Sequence, residues 1–174
     1  MTVSDVWSRL PIPEEHVAGI GFGLVVDRLV RRRWPRWTRP VGLPLVAVGA
    51  LVNAAAVVAH GGGDLDRPSA LVRRGPYAWS RNPMYLGWSL IHLGTALAAR
   101  SPGISITWPV SAVLVHRVVR QEERGLAERF GGEFAAYTAA VPRYLGARSG
   151  RSLIRSVRAR ARTRPRRSGR SRRA

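Results

Sequence analysis

Two short stretches carry most of the side chains that could do chemistry. The first runs Arg73-Arg74-Gly75-Pro76-Tyr77 and on through Arg81-Asn82-Pro83-Met84-Tyr85 to Gly87. The second is Glu122-Glu123-Arg124. Adjacent carboxylates can accept from hydroxyls or an ammonium group, or take up a proton. Arginine can hold a carboxylate in a forked pair. Tyrosine rings can wall an apolar ligand while their hydroxyls stay polar. The chain has no cysteine, which excludes a thiolate nucleophile, a thiolate zinc site and a disulfide framework. No metal site is expected.

The elements around these stretches decide whether they can meet. Gly75-Pro76 is a turn signal. Asn82-Pro83 has the order of a helix start, Asn at the cap and Pro at the first helical position. Met84–Ala99 then runs without a charge, and Ile104–Val119 carries one Arg, at its polar end. Arg100-Ser101-Pro102-Gly103 joins these two runs as a tight turn, hence a helical hairpin. Arg117 to Phe130 continues the second arm into water. On it Glu122, Leu126 and Phe130 share a face, with Val118 and Val119 one turn back. That places Glu122 on the apolar stripe and Glu123 on the flank. Gly131-Gly132 breaks the helix, and 133–140 forms a second short one. The two polar stretches thus flank one hairpin and meet at one mouth, where groups touch both water and lipid.

Upstream, Val41–Ala59 is nineteen uncharged residues, the clearest membrane-spanning segment. Val17–Val30 is shorter, about 21 Å as a helix against a hydrocarbon core of roughly 30 Å. Its Gly19, Gly21 and Gly23 suit close helix contact, and Asp27 and Arg28 are expected to snorkel to the interface. The loop between them interleaves Arg31, Arg32, Arg33, Arg36 and Arg39 with Trp34 and Trp37, a pattern suited to headgroup level. Asn53, His92 and His116 lie inside apolar runs and are read as hydrogen-bonded between helices rather than as ligands. The N-terminus lacks the order of a secretory signal.

All 29 basic residues are Arg, against 10 acids. Residues 147–174 hold 12 of those Arg and no acid, and are expected to be a disordered basic tail. Its charge suits anionic lipid better than nucleic acid, because no aromatic follows Tyr144 to stack on bases. The fold expected is all-α: a multi-pass membrane protein with about four transmembrane helices over residues 1–146, ending in a cytosolic helical segment. With both termini cytosolic, the site's side carries most of the Arg, as the positive-inside rule asks; the Arg31–Arg39 loop dissents. A plasma-membrane location follows from that reading.

Gly-Pro-Tyr at 75–77 followed by Arg-Asn-Pro-Met-Tyr-Leu-Gly at 81–87 resembles the signature of the isoprenylcysteine carboxyl methyltransferase and phospholipid methyltransferase families. The second part of the resemblance is Glu122-Glu123, Leu126, Phe130-Gly131, Tyr137 and Pro142. It covers roughly residues 71–144. The resemblance implies an integral membrane methyltransferase using S-adenosylmethionine, with Gly75, Tyr77, Arg81, Asn82, Pro83, Tyr85, Glu122, Glu123 and Tyr137 around the cofactor. It implies methyl transfer to a lipid or lipid-like acceptor. Arg124 or Arg81 would hold a carboxylate acceptor, and Glu122 or Glu123 would take the proton of an amine. Two positions depart from the pattern: Asn82 stands where many members have His, and Phe134 where Tyr is common.

Other readings use the same residues. Asn82-Pro83 could be only a cap, Gly75-Pro76 only a turn and Glu122 only an ion-pair partner. The whole chain could be a non-catalytic membrane protein whose Arg tail binds lipid or a partner, or a basic nucleic-acid-binding protein. The acceptor and the oligomeric state are not written in the sequence.

Overall fold

The computed structural model describes residues 13–61 and 70–146. The basic tail expected at 147–174 lies outside the described residues, as does the start of the chain. Among the described residues the protein is all-helical, with four α-helices: α1 (Glu14–Val30), α2 (Arg39–His60), α3 (Pro83–Ala98) and α4 (Pro102–Ala140). Short 3-10 turns at Arg36–Thr38 and Gly75–Ala78 lead into α2 and sit ahead of α3.

The hairpin forms as the sequence predicts. Arg100 takes a left-handed φ of 58°, and Ser101 caps α4 by accepting from the Ile104 N–H at 2.9 Å. The break at Gly131 is also present: its φ of 48° and ψ of −120° interrupt α4. The Asn82-Pro83 start holds for the backbone, but the Asn82 side chain makes no cap hydrogen bond. It is spent elsewhere, as described below.

Helices α2 and α3 pack backbone to backbone. A Cβ on Gly42 would meet the Ala98 nitrogen and the Gly94 carbonyl, so only glycine allows this approach. Helix α1 lies against α4, with Gly23 on the backbone of Gly103 and Ile104. Asp27 does not snorkel. It is buried, and its Oδ1 accepts from the Gly103 N–H at 2.8 Å. A carboxylate there satisfies an otherwise orphaned amide at the positive end of α4, which outweighs solvation at the rim.

The buried set is unusually polar: His16, Thr38, Ser80, His92, Ser101, Thr107 and Ser111. His92 Nε2 faces the Ile104 carbonyl at 3.1 Å, and its Nδ1 lies 3.0 Å from Nδ1 of His16. A carbonyl only accepts, so His92 carries its proton on Nε2 and accepts from His16. His116 pairs with the Tyr144 hydroxyl at 3.0 Å. Both histidines within apolar runs are thus hydrogen-bonded between elements. Outward faces are apolar instead, with Leu29, Leu51, Val58 and Ile106 each at least two-thirds exposed. Polar groups inside and aliphatics outside are what a lipid solvent selects. One helix among the described residues, Arg36–His60, is long and apolar enough to cross a membrane by itself.

A compact apolar cluster lies beyond that region. Phe134, Tyr137 and Val141 pack together, with Leu71, Leu126 and Phe130 against them. It ties the last turns of α4 to the segment ahead of α3, and so holds the two chemistry-bearing stretches together.

Candidate active site

At the mouth of the hairpin a cleft of about 410 Å³ opens between the segment ahead of α3 and the outer part of α4. Tyr77, Arg81, Asn82, Pro83, Tyr85, Glu122 and Tyr137, all singled out in the sequence, line it. Leu71, Met84, Trp88 and Leu126 supply apolar wall, and His60 and Arg129 complete the polar side.

The two adjacent glutamates have opposite environments. Glu122 faces the cleft, where the Tyr85 hydroxyl donates to its Oε1 at 2.6 Å. Glu123 is buried, 7% exposed, behind the lining. The stripe that α4 buries is Val115, Val119 and Glu123, one residue on from the one the sequence suggests. Tertiary packing against 80–82 and 141–143 selects that face; the Leu126 and Phe130 positions alone pointed to Glu122.

Glu123 accepts four hydrogen bonds. Arg81 grips it through Nε at 3.0 Å and Nη2 at 3.1 Å, and Asn82 Nδ2 donates at 3.0 Å. Arg143 adds a hydrogen bond from Nε at 2.9 Å, and its Nη2 lies in ionic contact at 2.8 Å. Burial alone would raise the carboxyl; the hydrogen bonds from Arg81, Arg143 and Asn82 overcome it and hold Glu123 below the ordinary glutamate range. Glu123 in turn holds Arg143 above its ordinary value.

Arg81 has no idle nitrogen. Its Nη1 donates to the carbonyls of Val141 at 2.8 Å and Thr138 at 3.3 Å. The Arg81 amide donates to Pro142 O at 3.0 Å, and Ser80 Oγ and Asn82 Nδ2 both donate to Arg143 O. Residues 141–144 therefore form a strap across the segment before α3, fastened at its end by Tyr144 on His116. Burial pushes the Tyr144 hydroxyl up from its ordinary value.

Two tyrosines of the wall, Tyr77 and Tyr137, are shifted away from ionisation. Burial first, and the Glu122 charge second, push Tyr77 up to about 12. Burial likewise raises Tyr137, whose hydroxyl donates to the Tyr77 carbonyl at 2.8 Å. The Arg73 guanidinium lies 5.7 Å from the Tyr137 ring centroid and pairs with Glu133.

Three of the sequence-derived residues lie off the lining. Gly75 shapes the turn at φ 61° under Ala59. Glu123 is the hub behind the wall, and Arg124 is exposed on another face of α4. Arg129 lines the cleft and was missed, though it falls seven residues after Glu122 on the same helical face. Arg143 is not among the residues singled out in the sequence; its role depends on a contact twenty residues back, which no local pattern encodes.

Polar-inside, apolar-outside helices around a cleft at the end of a hairpin define a membrane helical protein with an interfacial site. The chain belongs to the phospholipid methyltransferase family, whose sequence profile matches residues 37–133. Protein-S-isoprenylcysteine O-methyltransferase of Mus musculus is 31% identical over 125 residues, which is 63% of this chain and 43% of the mouse protein. The Homo sapiens protein of that name is 30% identical over the same shares. The chain thus spans less than half the length of these curated relatives. Its fold is similar to the solved structure of the eukaryotic intramembrane Ras methyltransferase ICMT (isoprenylcysteine carboxyl methyltransferase). That match has a TM-score of 0.62 at 20% identity, over 86% of this chain and 55% of the other.

Proposed function

We propose that this protein transfers a methyl group from S-adenosylmethionine to a lipid or lipid-like acceptor at the membrane surface. The observation that carries the proposal is the cleft at the hairpin mouth, where the Glu122–Tyr85 pair stands beside an apolar wall. Its donor set fits the cofactor. Glu122 and the Tyr85 hydroxyl suit ribose hydroxyls or an α-ammonium group, Arg129 suits the α-carboxylate, and Tyr77, Met84, Trp88 and Leu126 suit an adenine or an apolar chain. A volume of about 410 Å³ falls within the range of small-molecule sites. When bound, the cofactor supplies a methyl group on a sulfonium.

The chain's own residues would position and shield. Glu123 fixes Arg81 and Asn82, and through them the start of α3 and the cleft wall. A carboxylate acceptor needs no general base, only a cation to hold it. Arg81 is fully committed, Arg124 lies off the lining and Arg129 is assigned to the cofactor's α-carboxylate, so the lining offers no further Arg for that part, which favours an acceptor that needs no such cation. An amine acceptor would pass its proton to Glu122, the glutamate that faces the cleft. Glu123, charged and saturated with donors, is a positioning residue in this scheme.

We further read α1, α2, α3 and the first part of α4, up to about residue 119, as four membrane crossings, with the cleft and both termini on the cytosolic side of the plasma membrane. The concentration of Arg on the cleft side supports this. The alternative, a non-catalytic protein of the same fold, is not favoured, because the relatives are named as methyltransferases.

The test is methyl transfer from radiolabelled S-adenosylmethionine into a membrane-lipid extract by the full chain in detergent. Label in the organic phase that Glu122→Ala abolishes supports the proposal. No transfer to lipid, prenylated-cysteine or fatty-acid acceptors by folded protein that binds the cofactor contradicts it.

A further inference from the structure

The end of the protein farthest from the cleft carries a second concentration of charge. Arg31, Arg32, Arg33, Arg36, Arg39 and Arg100 gather there, five of them exposed. Among the described residues, the sole acid between 16 and 121 is Asp27, which is buried, its Oδ1 taken by the Gly103 N–H and its Oδ2 without a hydrogen-bond partner. The ion pairs among the described residues involve Arg73, Arg81 and Arg143, none of them in this group. Six like charges beside a single buried carboxylate, with no ion pair to it, repel one another.

This group sits on a built platform. The Trp34 N–H donates to Arg100 O at 2.9 Å, and Arg100 Nε returns a bond to Trp34 O at 2.8 Å. Arg33 Nη1 donates to Ala99 O at 3.2 Å, and Trp34 Nε1 donates to Ser105 Oγ at 3.1 Å. The segment after α1 is thereby stitched to the hairpin turn. Exposed apolar surface begins immediately beside it, with Trp37, Leu29 and Ile106 each about two-thirds exposed or more.

We propose that this platform is a binding site for the headgroup of an anionic phospholipid, separate from the cleft and independent of methyl transfer. Guanidinium groups match phosphate oxygens in forked pairs. Trp34 and Trp37 place the platform at headgroup depth. A free phosphate shares that chemistry, but the contiguous aliphatic surface is what acyl chains would cover, so the ligand is the lipid. The site also accounts for arginines that the charge-based orientation leaves unexplained.

The experiment uses the full chain in bilayers containing a small fraction of brominated phosphatidylglycerol or brominated phosphatidylcholine, read by tryptophan quenching. Wild type should be quenched preferentially by the phosphatidylglycerol, with a relative affinity about fivefold higher for each arginine engaged. The triple substitution Arg31→Ser, Arg32→Ser, Arg36→Ser should remove the preference, and the same three changed to Lys should keep most of it. Trp34→Phe with Trp37→Phe leaves Trp7, Trp79, Trp88 and Trp108 in place and should remove the lipid preference while leaving their non-selective quenching, which assigns the preference to this end rather than to the tryptophan-free residues 147–174. Arg117→Ser with Arg120→Ser should leave the preference unchanged. Equal quenching by both lipids in wild type, or a preference that survives the serine substitutions or moves with Arg117 and Arg120, overturns the proposal. So does a preference abolished by millimolar inorganic phosphate, which would make the site one for the free ion. If the serine variant does not fold, the lysine and phenylalanine variants decide.

Discussion

Arg81 grips Glu123 through two nitrogens, at 3.0 and 3.1 Å, with both side chains about nine-tenths buried. A single missing partner would leave the other charge stranded, at a cost of about 3–5 kcal/mol. Arg81→Ala and Glu123→Ala should each destabilise the protein by about that amount, and the double variant by less than the sum. Thermal unfolding of the four proteins in one detergent, as a double-mutant cycle, checks this.

The same pair sets a pH dependence. Folded Glu123 titrates below its ordinary value of 4.5, so its stabilisation is full above that value and is lost as pH falls through the folded value. Wild type should therefore lose its advantage over Glu123→Gln as the pH drops below about 4.5, the two converging in acid. Unfolding midpoints from pH 7 to pH 3 test the sign; an advantage that grows in acid would contradict it.

Arg143 reaches Glu123 from the strap with about a third of its side chain exposed, so its contact is screened. Arg143→Ala should cost only about 1 kcal/mol of stability. It should nevertheless lower kcat more than it raises KM, because the strap orients 80–82 rather than touching a ligand. Arg143→Lys keeps the charge but not the fork, and should recover part of that loss.

The α2–α3 contact predicts a contrast between two alanines. Gly42→Ala forces a methyl into the backbone of Gly94 and Ala98 and should cost about 1–3 kcal/mol or more. Gly21→Ala meets nothing within 4 Å, and should be neutral or stabilising by up to about 1 kcal/mol. Unfolding in the same detergent separates the two.

Much of this architecture is legible in the chain because its signals are local. The Asn82-Pro83 start, the Ser101-Pro102 turn and the Gly131 break are each written within a few residues, and apolar run length marks α2. The placement of Tyr77, Tyr85 and Glu122 around one mouth follows from the hairpin that joins their segments. What was not legible depends on rotation and long-range partners. Which of Glu122 and Glu123 turns inward is a difference of about 100° on α4, decided by Arg81 and Arg143 together. Asp27 becomes buried because Gly103 presents an amide to it, a contact made across 76 residues. Asn82 leaves its cap because Glu123 and the Arg143 carbonyl compete successfully for its amide.

The most direct test is calorimetric titration of S-adenosylmethionine into the full chain in detergent, wild type beside Glu122→Ala. Glu122 contacts the cleft without holding the Glu123 hub, so its loss should spare the fold while removing a charged partner of the ligand. Saturable binding by wild type, weakened at least about tenfold by the substitution, is the predicted result. Absence of binding by folded wild type, or equal binding by both proteins, would contradict the cleft as the cofactor site.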